Sequence, residues 1–285
     1  MPARTPSPRP SPGQPRSEGS GTLARLHPGL LALLALALVA WYFTVQAAMA
    51  MPAGPGTMGL GLGGFLAGWV LMMTAMMFPA LAPLLAAYLR TIRAVRSGWV
   101  RAGRTTALFV GYLLAWALFG VLAYGAAALM GRASAEAPVA APWIGATVLA
   151  AAGLYQLTPL KNYCLRHCRS PLGFLLHVSN YKGPLRDVRV GLYHGGYCVG
   201  CCWGMMAVLV AVGTMNLAWM VVIALAILLE KTWSHGVQLS KAVGVALIVF
   251  AFLVPANPAL LPGLYPAPGM GQDMEHDMPS DMPSM

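Results

Sequence analysis

Seven long runs of apolar residues divide this 285-residue chain, and they constrain its fold more than any other feature. An α-helix rises about 1.5 Å per residue, so roughly 20 apolar residues cross a hydrocarbon core of about 30 Å. The sequence therefore predicts an all-α protein, a polytopic bundle of about seven transmembrane helices. The runs cover residues 30–50, 60–88, 106–130, 142–160, 192–213, 217–232 and 238–256.

The composition argues against a water-soluble globule. The chain is 58% hydrophobic and only 9% charged, with a mean hydropathy of +0.66. A soluble protein of this size needs more charged surface than that. The net charge of +10 does not indicate a nucleic-acid partner, because most arginines lie in short clusters between the apolar runs. The expected surroundings are a lipid bilayer.

The domain limits follow from where these runs begin and end. Residues 1–28 are rich in Pro, Ser, Gly and Arg and are expected to form a disordered tail. Residues 29–257 form the transmembrane helical domain, and residues 258–285 form a flexible tail rich in Met, Asp and His. Only three residues separate the runs at 192–213 and 217–232. That spacing fits a tight helical hairpin, or a re-entrant feature that would reduce the count to six.

The distribution of basic residues predicts the orientation. The N-terminal tail, the second connection and the fourth connection hold four, five and six Lys or Arg residues, whereas the first and third connections together hold only Arg132. Basic residues accumulate in cytoplasmic loops. We therefore expect the N-terminus in the cytoplasm, the loop from Lys161 to Arg189 on the same side, and the C-terminus outside.

All five cysteines fall between positions 164 and 202, in two segments. In a helix, residues at i, i+3 and i+4 share one face. Each segment repeats that spacing with a histidine nearby, and two methionines follow the second segment by one turn. The candidate ligands are Cys164, His167 and Cys168 in the first segment and His194, Cys198, Cys201, Cys202, Met205 and Met206 in the second.

This donor set suits a soft metal ion. Thiolate and thioether sulfurs favour Cu(I), and thiolates with imidazole also suit Zn(II). Three other readings stay open. Free cysteine is also a small buried hydrophobe, and Cys198 with Cys201 forms a Cys-x-x-Cys pair typical of thiol–disulfide oxidoreductases. A structural zinc site that joins the two segments is the remaining alternative.

The second apolar run carries paired methionines at positions 72, 73, 76 and 77. Met72 with Met76, and Met73 with Met77, are one helical turn apart. A thioether relay for Cu(I) is one interpretation, and ordinary packing by flexible side chains is the other. Pro79 and Pro83 follow and are expected to kink this helix.

The last residues place methionine at 270, 274, 278 and 282, with acidic residues and His276 between them. Such a segment is typical of a disordered acidic tail. Its mixed hard and soft donors also suit copper in either oxidation state. We therefore include Met274, His276 and Met278 among the candidate ligands.

Glu230 and Lys231 end the sixth apolar run, where an acidic side chain needs a partner. In one interpretation Lys231 extends toward the interface and Glu230 turns toward the cysteines. In the other, both residues form a simple interfacial pair.

Three long motifs in this order resemble a bacterial family of predicted metal-binding integral membrane proteins, domain of unknown function 2182. They cover most of residues 60–250. The stretches that carry the resemblance are residues 69–83 with the core Met-Met-Thr-Ala-Met-Met-Phe-Pro, residues 155–171 from Tyr-Gln-Leu-Thr-Pro to Cys-Arg-Ser-Pro, residues 194–206 from His-Gly-Gly-Tyr-Cys to Gly-Met-Met, Met215-Asn216, and Glu230-Lys231.

The resemblance implies a multi-pass protein of the bacterial inner (plasma) membrane that binds a metal, with copper as the expected ion. It carries over to the five cysteines and to the four methionines of the second run. No phosphate-binding loop is visible, so the chain does not resemble an ATP-driven pump. No nucleophile and base pairing is visible either, and an enzymatic role is not indicated. Expected partners are the metal ion and a copper chaperone or cuproenzyme.

Overall fold

Helices account for all regular secondary structure in the residues that the computed structural model describes, which are 28–50, 56–95, 97–137, 139–214 and 216–257. The described helices are α1 (Pro28–Ala50), α2 (Leu62–Thr91), α3 (Gly98–Glu136), α4 (Ala141–Leu157), α5 (Pro159–Arg169), α6 (Pro171–His177), α7 (Arg186–Val212), α8 (Leu217–Thr232) and α9 (Gly236–Leu253). The all-α prediction is confirmed for these ranges.

Five of these helices, α1, α2, α3, α7 and α9, are long and apolar enough to cross a membrane. The fourth apolar run forms α4 and the first two residues of α5. The two helices are bent by 64° relative to each other and add a sixth span if they count as one. The bend occurs where Pro159 begins a new helix, because proline is favoured at the first helical position. The predicted count of about seven spans is therefore not confirmed.

The sixth apolar run forms α8, a separate helix rather than a continuation of α7. Gly213 ends α7 at a φ of 109°, and the Asn216 side chain caps α8 by accepting a hydrogen bond from Trp219 N at 3.2 Å. At 1.5 Å per residue, 16 residues extend only about 24 Å. This helix is thus shorter than a typical hydrocarbon core.

Close packing between α3 and α7 positions the cysteine segment of α7. The two helices run parallel, with an ion pair between Arg104 and Asp187 at 2.9 Å near their first turns. Further along, a Cβ atom at Gly191 would lie 2.0 Å from the Leu108 carbonyl oxygen, and one at Gly111 would lie 2.0 Å from the Val188 carbonyl oxygen. Only glycine permits this backbone approach, a kind of contact that is also common where membrane helices pack.

A second close pair, α4 and α9, runs antiparallel. A Cβ atom at Gly153 would lie 2.7 Å from the Gly244 carbonyl oxygen, and Ser240 donates a hydrogen bond to the Gln156 carbonyl oxygen at 3.4 Å. At the end of α4, Thr158 caps α5 by accepting a hydrogen bond from Lys161 N at 3.3 Å. α5 then packs against α7 and α8.

The predicted tails lie outside the described residues, except that Pro28 begins α1. The same holds for the candidate ligands Met274, His276 and Met278. α2 continues as one helix through Pro79 and Pro83.

Candidate metal centre

The short helix α5 presents a buried face toward α7 and α8. Lys161, Cys164 and Leu165 are buried, and Cys168 is half-buried one turn further on. These positions follow the i, i+3, i+4, i+7 spacing of a single helical face. The first cysteine segment is therefore helical, as its spacing predicts, and both of its cysteines lie on the packed side.

Sulfur atoms from the two cysteine segments meet between α5 and α7. Cys168 Sγ lies 3.7 Å from Cys201 Sγ, and Cys201 Sγ lies 3.2 Å from Cys202 Sγ. All five cysteines are free thiols. The distance between Cys168 and Cys201 crosses the helix interface and resembles the spacing of two thiolates on one metal. Such a pair lies about 3.8 Å apart on a tetrahedral ion with metal–sulfur bonds of about 2.3 Å.

The sulfurs do not yet surround a common metal-sized space. Among the described residues, no group of three or more His, Cys, Asp or Glu side chains is arranged so that it could hold a metal ion. The 3.2 Å contact between Cys201 and Cys202 is shorter than the spacing that a shared tetrahedral ion imposes. Three-sulfur coordination would require side-chain rotation at Cys202.

Cys198 has partners that the sequence did not indicate. Lys231 Nζ donates a hydrogen bond to Cys198 Sγ at 2.9 Å, and the Tyr112 hydroxyl lies 3.0 Å from the same sulfur. Cys201 Sγ in turn donates to the Cys198 carbonyl oxygen at 3.2 Å. The expectation that Lys231 extends toward the interface is wrong. The side chain is buried, and its ammonium points at a sulfur where it can balance the charge of a thiolate.

Glu230 pairs with a residue of the first cysteine segment. Lys161 Nζ donates to Glu230 Oε2 at 2.8 Å, and their side chains are 0% and 2% exposed. The other carboxylate oxygen, Oε1, has no hydrogen-bond partner among the described residues. The simple interfacial pair of Glu230 with Lys231 is thus wrong. Glu230 does turn inward toward the cysteine segments, as the other interpretation expects, and its partner is Lys161. A buried charge in an apolar bundle must be paired, and the bend before α5 brings Lys161 to it.

The two candidate histidines contact aromatic rings. His167 is half-buried, stacks on Tyr197 with ring centroids 4.3 Å apart, and places Nδ1 3.0 Å from the Tyr163 carbonyl oxygen. His194 is buried between Tyr112 and Phe174, and its Nδ1 lacks a hydrogen-bond partner in the described chain. No hydrogen bond in the described ranges joins either histidine to a sulfur.

The candidate methionines are buried in the same hydrophobic core as the cysteines, each at most 4% exposed. They are Met72, Met73, Met76 and Met77 of α2 and Met205 and Met206 of α7. α2 packs mainly against α1, α3 and α8, whereas the sulfur contacts lie between α5 and α7. Burial fits both packing and a thioether relay, and the relay stays a prediction.

The described residues form five or six long, apolar helical spans packed around a sulfur cluster. They define a helical bundle suited to a membrane and to a soft metal ion. The sequence matches the profile of the family PpoB2, described as copper chaperone, over residues 66–254. The protein belongs to this family.

The copper expectation gains support from the family description, and the zinc alternative gains none. The family name differs from the one indicated by the motif resemblance, and its description does not mention a membrane. No curated protein and no solved structure matches the chain.

Proposed function

We propose that this protein is a multi-pass membrane copper chaperone that binds Cu(I) through the sulfurs of Cys168, Cys201 and Cys202. The observation that carries the proposal is the 3.7 Å approach of Cys168 Sγ to Cys201 Sγ across two helices. A cysteine that only packs gains nothing from facing another thiol across an interface. A pair of thiols that binds a thiophilic ion needs that approach.

The charges around the cluster support this role. Three thiolates and one Cu(I) carry two net negative charges, which are costly in an apolar interior. The Lys231 ammonium, held 2.9 Å from Cys198 Sγ, supplies a compensating positive charge next to the ligand segment. The Lys161–Glu230 ion pair holds α5, and with it Cys168, against α8. Cys198 thus holds the Lys231 ammonium in place, and Cys201 and Cys202 remain available to bind the metal.

The cellular setting is inferred from the family and from the apolar helices. A copper chaperone passes its ion to an acceptor, so the expected partner is a cuproenzyme or another copper carrier. The basic connections favour the cytoplasmic side of a bacterial inner membrane for the segment between α4 and α7. The sulfur cluster then lies toward the cytoplasmic end, where thiols stay reduced.

Copper binding can be measured on the detergent-purified protein with a chromophoric Cu(I) chelator as competitor. The variant C168S/C201S/C202S should lose the tight Cu(I) equivalent that the unmodified protein binds. Ala211→Ser introduces a hydroxyl at another fully buried position of α7 and is the matched control. This variant should keep the tight Cu(I) equivalent. X-ray absorption of the loaded protein should show sulfur neighbours. An unchanged stoichiometry in the triple variant would refute the proposal.

A membrane thiol–disulfide oxidoreductase is the second candidate. It is favoured by the Lys231 ammonium at Cys198 Sγ, because a nearby cation activates a nucleophilic cysteine. In that case C201S should trap a mixed disulfide at Cys198 with a thiol substrate, and the isolated protein should cycle between reduced and oxidised forms without copper. Protein isolated with stoichiometric zinc would instead indicate a structural site.

A further inference from the structure

An open groove lies beside the sulfur cluster, along the surface where α5 and the first half of α7 meet. Its volume is about 510 Å³, and it is separate from the contacts between Cys168, Cys201 and Cys202. Cys164, which is not among the three proposed ligands, is part of its wall. The groove is lined by Cys164, Tyr181, Arg189, Leu192, Tyr193, Gly196 and Tyr197.

The groove combines a thiol with groups that bind carboxylates. Arg189 is exposed and makes no ion pair in the described ranges, where the two ion pairs are Arg104–Asp187 and Lys161–Glu230. Its guanidinium is therefore available for an anion. The hydroxyls of Tyr193 and Tyr197, 3.1 Å apart, add further hydrogen-bonding groups. A ligand that matches this wall carries carboxylates and a thiophilic centre together.

We propose that this groove docks Cu(I) complexes of small carboxylate-bearing thiols, the class to which glutathione belongs, and that Cys164 makes the first bond to the metal. The inference rests on the proposed function, because it specifies how copper reaches the cluster. The expected occupant is a small anionic complex, because a groove of about 510 Å³ with Arg189 in its wall suits a tripeptide-sized ligand.

The transfer is a ligand exchange without a change in oxidation state. The complex holds Cu(I) between two thiolates. Cys164 sulfur forms a bond to Cu(I), one copper–sulfur bond to the carrier breaks, and the departing thiolate takes the proton that Cys164 gives up. The carrier leaves as a free thiol, and the copper stays bound to Cys164 and the second carrier thiolate.

The position of Cys164 connects the groove to the cluster. Cys164 and Cys168 are four residues apart on α5, so they are neighbours on one helical face. Cys164 Sγ also lies over α7 at Gly200, where an added Cβ would be only 2.9 Å away. Gly200 precedes Cys201 directly. A second exchange onto Cys168 and Cys201 would therefore pass between residues of the same two helices, α5 and α7.

Gly196 offers a way to fill the groove without straining the fold. It is exposed in the groove wall, and a Cβ there would meet no atom within 4 Å. Gly196→Leu should therefore occupy the docking space. Gly125→Leu on α3 is the matched control, because that glycine is equally exposed and its added Cβ also meets nothing within 4 Å.

The test is stopped-flow transfer of Cu(I) from Cu(I)–glutathione to the apo protein, with the final stoichiometry measured on the same samples. Gly196→Leu and Cys164→Ser should each slow transfer on the order of tenfold or more and leave the final stoichiometry unchanged. Gly125→Leu should match the unmodified protein. Arg189→Gln should slow transfer roughly tenfold from Cu(I)–glutathione and much less from the Cu(I) complex of 2-mercaptoethanol, a thiol without carboxylates.

Failure of the proposed function and failure of the groove as a docking site give different results in this assay. If the unmodified protein takes up no copper at the end point, the proposed function fails. If the end point is intact but Gly196→Leu transfers at the unmodified rate, the groove is not the docking site. A lowered final stoichiometry in Cys164→Ser would make Cys164 a holding ligand and overturn its role as first contact.

Discussion

The buried ion pair between Lys161 and Glu230 provides the sharpest test of the architecture. The side chains are 0% and 2% exposed with 2.8 Å between the charged atoms. Lys161→Met removes the cation and leaves a buried carboxylate whose second oxygen already lacks a hydrogen-bond partner in the described chain. Breaking such a pair from one side costs about 3–5 kcal/mol. For a domain of this size, that loss corresponds to a decrease in Tm on the order of 6–20 °C.

The free cysteines make the measurement direct. Cys198, Cys201 and Cys202 are at most 2% exposed, so their reaction with a thiol-reactive fluorogenic dye reports unfolding in detergent as the temperature rises. The double variant K161M/E230L replaces both charges by apolar groups of similar size and should recover most of the loss, because no charge remains buried without a partner. Lys161→Met should also bind Cu(I) more weakly, since α5 no longer holds Cys168 beside Cys201.

Two results would refute this reasoning. The first is a decrease in the free energy of unfolding of less than about 1 kcal/mol for Lys161→Met, which is the value typical of an exposed ion pair. The second is a double variant as unstable as the single one. Either outcome would mean that the charges reach water and that the ion pair does not hold α5 against α8.

Three further predictions concern packing, charge and topology. Gly191→Ala should lower the free energy of unfolding by about 1–3 kcal/mol, because its methyl group meets the backbone of α3, while Gly196→Ala should be neutral in the same thermal assay. Lys231→Met should weaken Cu(I) binding roughly tenfold or more in a chelator competition, since it removes the cation beside the thiolates; equal affinity would contradict that role. In a cysteine-free background, a cysteine at the exposed position Val139 should react with an impermeant maleimide in intact cells, whereas one at Leu185 should react only after permeabilisation; the opposite pattern would invert the proposed topology.

The apolar runs predicted the helices closely, because a helix long enough to cross a bilayer is encoded by a local excess of apolar residues. The exceptions are also local in origin. Pro159 begins a new helix within the fourth run, and α8 has only 16 residues. Hydropathy counts apolar residues but does not register a bend or a helix that stops short, so the predicted number of spans is not confirmed.

The candidate site, too, was predicted only in the part that depends on neighbouring residues along the chain. The i, i+3, i+4 spacing of the cysteines placed each set on one helical face, and the clustering of all five indicated that the two segments belong together. His167 shows the limit of that argument. It shares the spacing of Cys164 and Cys168, but it stacks on Tyr197, a residue of another helix that spacing within α5 cannot reveal.

What the sequence alone determined is what depends on neighbours along the chain: an all-helical apolar bundle, two cysteine faces and a donor set suited to a soft metal. Only the tertiary structure decided which groups meet across helices. Lys231 reaches Cys198 over 33 positions, Lys161 reaches Glu230 over 69, and Tyr112 reaches Cys198 over 86. Such partners depend on the crossing of the packed helices, which glycine contacts and the bend at Pro159 set, and no pattern within a single helix encodes that geometry.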